Sequence, residues 1–311
     1  DLERTYWDRV QEKLQHLPSS MAKDSGRSMN LVNASLDAQT THSITTTAGN
    51  PYHADINDLL MTALGRSYYK LTGNDAVSVQ FEGHGREYIG NAQLLTDRTV
   101  GWFTSVYPVV LEHLDGDLRS CLRQTKETMH RIPNKGVGYN VLRYLSSDTA
   151  YSTGQCALIG FNYLGEMSAK DSNDGAPFTA MTEISAGDDF APQNVFGPDI
   201  SINCSVTDGQ LEASLAYNTA LFTQEQASQL LNGMMESLRE ITVHTADMKD
   251  VEVTAMDLGE YEWTDEEFQK VYSHFIQMGT PLQRIYPLSP MQEGMALKFM
   301  MEPDSLAYRL V

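Results

Sequence analysis

The sequence has 311 residues, of which 41% are hydrophobic and 20% charged, enough to bury the core of one large domain or two ordinary ones. Its formal net charge of -19 repels phosphate backbones and anionic lipid surfaces, so we expect no nucleic-acid and no membrane partner. The three cysteines have neither metal-ligand nor redox spacing. Since the sequence also contains no signal peptide and no long apolar run, we expect reduced thiols in a cytoplasmic protein.

Apolar periodicity predicts the elements of the first half of the chain. Residues 6–17, 55–70 and 118–132 carry apolar stripes at helical spacing, and Asp55 is placed to cap the second of these helices. Short runs rich in β-branched and aromatic residues predict strands within 76–81, 100–111 and 157–164. Residues 36–46 are compatible with another strand, inside a polar stretch rich in Ser and Thr.

The second half contains the strongest hairpin pattern. Residues 168–197 are typical of a loop, and alternating apolar residues then flank a turn at Asp208-Gly209. Thr223 and Gln226 form a capping box before a long amphipathic helix. Strands mixed with helices predict an α/β fold, with a mixed β-sheet covered by helices.

The segment EGHGRE, residues 82–87, is the leading candidate for chemistry. It follows the predicted strand 76–81, and sites in α/β folds tend to lie at strand ends. A partly buried carboxylate such as Glu82, close to His84 and Arg86, is suited to act as a general base. On the pattern alone, a polar turn with a local Glu–Arg pair is about as good an interpretation.

Two further segments are weaker candidates. PNKGVGY, residues 133–139, is compatible with a glycine loop near a ligand, but it lacks the GxxxxGK[ST] pattern of a phosphate loop. FNYLG, residues 161–165, places Asn162 and Tyr163 at a strand end, where both side chains can hydrogen bond a carbonyl oxygen. A buried structural tyrosine is an equally good interpretation. The sequence has no GxSxG, HExxH or Cys/His cluster, which argues against serine hydrolases and zinc enzymes.

Taken in order, the motifs resemble those of a known family. DLLMTALG (58–65), EGHGRE (82–87), RTVGWFTSVYP (98–108), PNKGVGY (133–139) and FNYLG (161–165) follow the motif series of epimerization domains in nonribosomal peptide synthetases. The resemblance covers roughly residues 1–255 and favours epimerization over condensation within the superfamily. It implies one lobe of a two-lobed fold similar to chloramphenicol acetyltransferase, with the active site in the tunnel between the lobes.

The resemblance also implies a substrate and partners. A peptidyl carrier domain would deliver an aminoacyl or peptidyl thioester on its phosphopantetheine arm, and no cofactor would be bound directly. The family's N-terminal lobe carries an HHxxxDG motif, which this sequence does not contain. We therefore expect the N-terminal lobe, with the histidine half of the site, to be missing from these residues, and the isolated chain to be inactive or nearly so.

The resemblance assigns roles to individual residues. Glu82 is the expected catalytic carboxylate, which removes or returns the Cα proton. Asn162 and Tyr163 are expected to stabilise the enolate or to position the thioester carbonyl. The expected substrate-positioning residues are His84, Arg86, Gly138 and Tyr139. Of these, His84 and Arg86 are also expected to orient Glu82 and to shape the loop.

The C-terminal segment resembles a different domain. IYPLSPMQEGM, residues 285–295, is similar to the opening motif of a condensation domain. This predicts an epimerization lobe at 1–255, a linker with a short helix at 256–281, and the beginning of a downstream condensation domain at 282–311. Two alternatives to an epimerase remain open: an amide-forming condensation lobe and a non-catalytic docking module.

Overall fold

The computed structural model describes residues 3–19, 28–87, 96, 98–146, 151, 156–167, 197–259, 263–280, 282 and 285–302. The chain divides into two compact units, Asp1–Glu252 and Val253–Val311. The predicted linker at 256–281 and the assignment of 282–311 to a further domain stay predictions. Within the described ranges, no helix combines the length and the apolar character needed to cross a bilayer.

A mixed sheet forms the centre of the first unit. Its strands are β1 (Met29–Ser35), β2 (Val77–Gly83), β3 (Ser105–Leu111), β4 (Ile159–Met167), β5 (Ile200–Thr207) and β6 (Gln210–Asn218). They lie in the order β1-β6-β5-β4-β2-β3. Strand β4 is parallel to both of its neighbours, β2 and β5, and the other pairs are antiparallel. The predicted α/β fold with a mixed sheet is confirmed.

Helices cover the sheet. They are α1 (Arg4–Leu14), α2 (Ala38–Thr46), α3 (Ile56–Thr72), α4 (Leu118–His130), α5 (Val137–Leu145) and α6 (Gln224–Ala246). Helices α3 and α6 pack closely, and the Ser67 hydroxyl of α3 donates a 2.7 Å hydrogen bond to the Leu230 carbonyl of α6. On β5 and β6 the apolar residues alternate, and this buried face joins the helices in one hydrophobic core.

Local signals in the sequence determine several element ends. Asp55 and Asp58 form a capping box at the start of α3, and Thr223 and Gln226 form another at the start of α6. The predicted turn between β5 and β6 is confirmed, with Asp208 at φ 50° and Gly209 at φ 80°. All three cysteines are free thiols, and Cys204 lies in the core. The loop predicted at 168–197 lies outside the described residues except for Gly197.

The strand predicted within residues 36–46 is wrong. The segment forms helix α2, which begins after Asp37, and the strand of this region is β1 at Met29–Ser35. The Asp37 carboxylate accepts a hydrogen bond from the Thr40 backbone N–H and so caps the helix. Thr41 fixes the helix against the sheet, because its hydroxyl accepts a 2.9 Å hydrogen bond from the Leu211 backbone N–H. Capping and docking outweigh the strand propensity of the threonines.

The prediction of a glycine loop at residues 133–139 is wrong for the second half of that segment. Residues Pro133–Gly136 form a short 3-10 turn, and α5 begins at Val137, so Gly138 lies in the first turn of a helix. The chain reverses through left-handed backbone at Asn134, Lys135 and Gly136, with φ values of 44°, 48° and 78°. The sequence indicates the glycines but not the helix that follows them.

We expect Gly136→Ala to lower the free energy of unfolding by about 3 kcal/mol. A Cβ at Gly136 would overlap the ring of Tyr107. Left-handed backbone at a residue with a Cβ costs about 1–2 kcal/mol, and overpacking adds about 1–3 kcal/mol. Denaturant unfolding measures the loss. Gly209→Ala is the matched control, because Gly209 also has a positive φ but faces open space. Equal losses in the two variants would contradict the overlap with Tyr107.

The second unit contains two further helices. They are α7 (Asp265–Gln277), within the segment predicted to be a linker with a short helix, and α8 (Pro290–Met301). Thr264 and Glu267 form a capping box at the start of α7. Phe268 of α7 is fully buried and forms a small core with Ala255 and Leu258. Helix α8 has no buried residue.

Candidate active site

A cavity of about 470 Å³ lies at the ends of the adjacent strands β2 and β4. Its wall also includes residues at the start of α3, at the end of α4 and at the turn before α5. The residues that line it are Asp55, Asn57, Asp58, Phe81, Glu82, Gly83, His84, Glu87, Thr104, Tyr107, Met129, Lys135, Asn162, Tyr163 and Leu164. The wall therefore contains residues from all five segments that carry the resemblance, at 58–65, 82–87, 98–108, 133–139 and 161–165.

Glu82 lies near the end of β2, opposite Val106 of β3. Its side chain is half-buried in the cavity wall, and this burial raises the pKa of the carboxyl above its ordinary value. Among the described residues, no charged neighbour contributes to the shift. A carboxylate whose affinity for protons is raised by burial is a stronger base than an exposed glutamate, and this suits the abstraction of a weakly acidic proton.

Asn162 and Tyr163 enter the same cavity from β4. The parallel register pairs Phe81 with Phe161, and the two rings stack with their centroids 5.9 Å apart. Glu82 and Asn162 are the next residues on the two strands. Burial raises the pKa of the Tyr163 hydroxyl, and Glu166 and Cys204 add to the shift, so the phenol stays protonated at neutral pH. Neither Asn162 nor Tyr163 makes a side-chain hydrogen bond within the described part of the chain.

His84 and Arg86 shape the loop that follows β2. The Nδ1 atom of His84 accepts a 3.0 Å hydrogen bond from the Arg86 backbone N–H, and its Nε2 atom lies 3.0 Å from the Glu87 carboxylate. The Arg86 guanidinium donates to the Thr96 and Gly101 carbonyls and lies 4.3 Å above the Phe103 ring. His84 lines the cavity and Arg86 does not. Among the described contacts, neither side chain bonds to Glu82.

Gly138 and Tyr139 are not among the residues that line this cavity. Tyr139 is buried on the inner face of α5, where its ring lies 5.0 Å from that of Trp7. Its hydroxyl accepts a 3.0 Å hydrogen bond from the Gln11 side-chain amide. The structure therefore places both residues in the packing between α5 and α1, away from Glu82.

A buried ion pair in the cavity wall was not found from the sequence. The Nε2 atom of His130, at the end of α4, lies 2.9 Å from the Asp58 carboxylate, which is only 1% exposed. Burial outweighs the pairing and raises the pKa of Asp58, whereas the hydrogen bond to Asp58 raises the pKa of His130. The sequence shows that Asp58 is an acidic residue in the first turn of α3, but it does not show that α4 packs against it.

Among the described residues, Asp55, Asp58 and His130 are the cluster with the composition of a metal site. Several of their acceptor atoms are already used by the protein, whereas Asp58 Oδ1 is buried without a hydrogen-bond partner among the described residues. Asp58 Oδ2 accepts from the Asp55 backbone N–H and contacts His130, and Asp55 Oδ1 accepts from the Asn57 and Asp58 backbone N–H groups. The cluster is thus a helix cap joined to an ion pair.

Comparison with known proteins identifies the family. The model of the condensation-domain family matches residues 2–261. This chain belongs to the condensation-domain family. Among curated relatives of this condensation-family chain, surfactin synthase subunit 1 of Bacillus subtilis is 34% identical over 284 residues, which are 88% of this chain and 8% of that protein. Bacitracin synthase 3 of Bacillus licheniformis is 30% identical over 274 residues, which are 88% of this chain and 4% of that protein. The chain thus spans less than a tenth of these relatives.

Solved structures give the same fold. The epimerization domain from the third module of tyrocidine synthetase B has a TM-score of 0.65 at 28% identity, over 76% of this chain and 55% of that one. The first condensation domain of the calcium-dependent antibiotic synthetase has a TM-score of 0.51 at 16% identity, over 79% of this chain and 52% of that one. The second likeness bears on the fold alone. The condensation-family chain spans about half of each solved domain.

Proposed function

We propose that this condensation-family chain provides one half of an epimerization site in nonribosomal peptide synthesis. The substrate is an L-aminoacyl or peptidyl thioester on the phosphopantetheine arm of a carrier domain, and the product is the D form. One observation carries the proposal: the half-buried Glu82, with a pKa raised by burial, lines the same cavity as Asn162 and Tyr163. The likeness to an epimerization domain at a TM-score of 0.65 supports it.

The chemistry needs a base and a stabilised enolate. The Glu82 carboxylate takes the Cα proton, and the electron pair of the C–H bond moves into the thioester carbonyl to form an enolate. The Tyr163 hydroxyl and the Asn162 amide can donate hydrogen bonds to its oxygen. A proton returned to the opposite face of Cα completes the inversion, with no net change in protons or electrons.

The second acid–base group is proposed to come from outside these residues. In the family that the motifs resemble, the HHxxxDG motif belongs to the other lobe, and no such motif occurs in this sequence. The partners are therefore the lobe with that histidine, a carrier domain and a downstream condensation domain. The thioester itself stabilises the carbanion, so the reaction needs no directly bound cofactor. The isolated chain is expected to show little or no epimerization.

Amide formation is the second candidate, because the family match and the curated synthetases support it as well. A single experiment separates the two reactions. The chain is joined to its natural upstream lobe and carrier domain, and the carrier is loaded with an L-amino acid. Chiral chromatography follows the D/L ratio, and mass spectrometry follows amide formation with an acceptor on a second carrier.

The outcomes of this experiment differ for the three hypotheses. Epimerization predicts that the D/L ratio approaches equilibrium without any acceptor, and that Cα takes up deuterium from D₂O. A fixed L configuration with amide product would contradict the proposal and favour condensation. Neither product, with retained carrier binding, would favour the docking module.

A further inference from the structure

Tyr107 is a largely buried residue of the cavity wall whose hydroxyl has no hydrogen-bond partner among the described residues. Tyr107 is only 3% exposed, and it lines the same cavity as Glu82 and Tyr163. Within the described part of the chain its hydroxyl makes no hydrogen bond. The hydroxyl is not among the fully enclosed polar atoms, so it is open to the cavity and can donate to a ligand bound there.

The ring of Tyr107 is held rigidly. Tyr107 lies opposite Phe81 in the antiparallel pair of β2 and β3, and their ring centroids are 5.8 Å apart. Trp7 of α1 contacts the ring edge-on, with a centroid distance of 6.2 Å. Gly136 lies against the ring so closely that a side chain there would overlap it. The hydroxyl therefore keeps its position before any ligand binds, which is the property of a preorganised donor.

The surroundings keep this hydroxyl protonated. Burial raises the pKa of Tyr107, and the carboxylates of Glu87 and Asp55, with the Tyr6 hydroxyl, raise it further. Neither carboxylate accepts a hydrogen bond from Tyr107. At neutral pH the group is a neutral phenol that offers its proton to the cavity. Its best complement is an oxygen that becomes negatively charged during the reaction.

We propose that Tyr107 donates a hydrogen bond to the carbonyl oxygen of the carrier-bound thioester, and that this bond strengthens as the carbonyl becomes an enolate. The proposal rests on the proposed function for its substrate. Tyr107 on β3 becomes a third donor beside Asn162 and Tyr163 on β4. The oxygen then receives hydrogen bonds from the two strands that flank β2. Donors of this kind typically contribute about 10²–10³-fold to a rate constant.

The test compares Tyr107→Phe with Tyr217→Phe in the chain joined to its upstream lobe and carrier. Tyr217 lies on β6, is 2% exposed and does not line the cavity, so its variant removes an equally buried hydroxyl elsewhere. We expect Tyr107→Phe to lower kcat for epimerization about 100-fold and to raise KM by no more than about fivefold. Tyr217→Phe is expected to leave both constants unchanged. A kcat unaffected by Tyr107→Phe would overturn the proposal.

A binding measurement makes the test independent of catalysis. The probes are an aminoacyl pantetheine amide, which keeps the carbonyl, and the corresponding thioether, which has a methylene group in its place. Tyr107→Phe is expected to weaken binding of the amide about fivefold and to leave binding of the thioether unchanged. Equal effects on both probes would mean that Tyr107 does not bond the carbonyl. Wild-type protein that binds the amide through Tyr107 but does not epimerize would contradict the proposed function and leave the hydrogen bond standing.

Discussion

Replacing Glu82 by glutamine is expected to slow epimerization by about 10³-fold, because general-base catalysis contributes typically 10²–10⁴-fold and the amide cannot accept the Cα proton. The fold should not suffer. Burial raises the pKa of Glu82, so the charged form is disfavoured in the folded protein, and a neutral amide of the same shape relieves that cost. Chiral chromatography of the released amino acid measures the rate, and denaturant unfolding measures the stability.

The pH profile gives a second readout for Glu82. The base works only when it is deprotonated, and burial raises its pKa above the ordinary value of 4.5. We therefore expect kcat/KM of the wild type to fall as the pH drops through a midpoint above that value. Glu212→Gln is the matched control, because Glu212 is an exposed residue of β6 away from the cavity. If Glu82→Gln epimerizes as fast as this control, Glu82 is structural and the base lies elsewhere.

Removing His130 is expected to destabilise the fold by about 3 kcal/mol, because it leaves the buried carboxylate of Asp58 without its cation. His130→Leu is the single variant, and Asp58→Asn with His130→Leu completes a double-mutant cycle. The double variant should lose less than the sum of the two single losses, since no uncompensated charge remains. Additive losses would contradict the coupling.

The same pair predicts how stability depends on pH. The pKa values of both His130 and Asp58 are raised in the folded state, above their ordinary values of 6.5 and 3.8. The folded protein therefore holds protons at pH values where the unfolded chain has released them, and the free energy of unfolding falls as the pH rises. The contribution of His130 is fully present below pH 6.5 and is lost as the pH rises through its raised value.

Lys126 and Lys135 lower the pKa of His130, and Asp55 raises that of Asp58. These charges shift the pH at which the stability changes, but the free energy of unfolding still falls as the pH rises. His130→Leu should flatten the dependence above pH 6.5, measured by denaturant unfolding at a series of pH values. A wild-type stability that rises over that range would show that other groups dominate.

Local rules predicted the elements whose signals lie within a few residues. The hairpin at Asp208-Gly209 and the capping box at Thr223 are of this kind, because turn and cap chemistry need no distant partner. Helix α2 was missed because its threonines favour strands, and the Asp37 cap with the contact of Thr41 to β6 decides the conformation. That contact cannot be read from local sequence.

The residues of the candidate site also fall into those that the sequence predicted and those that it did not. Glu82, Asn162 and Tyr163 were predicted because they stand in recognisable segments at strand ends, and the cavity contains all three. His130 and Tyr107 were missed as site residues. No motif marks His130, and Tyr107 stands in the segment RTVGWFTSVYP, whose pattern does not indicate which of its side chains reaches the site. Helix α4 brings His130 to Asp58, and the pairing of β3 with β2 brings Tyr107 to the cavity. Such residues become visible only when the tertiary packing is known.

The position of β1 has a consequence for the synthesis of the chain. Of the described strands of this sheet, the first in chain order pairs with the last, and Met29 lies opposite Asn218. At about 5–20 residues per second, β1 therefore waits on the order of ten seconds or more before its partner leaves the ribosome. During that time its backbone N–H and C=O groups form an open edge that another nascent chain can pair with. Slow elongation between β1 and β6 should lengthen this period and increase aggregation, whereas the same delay after β6 should have little effect.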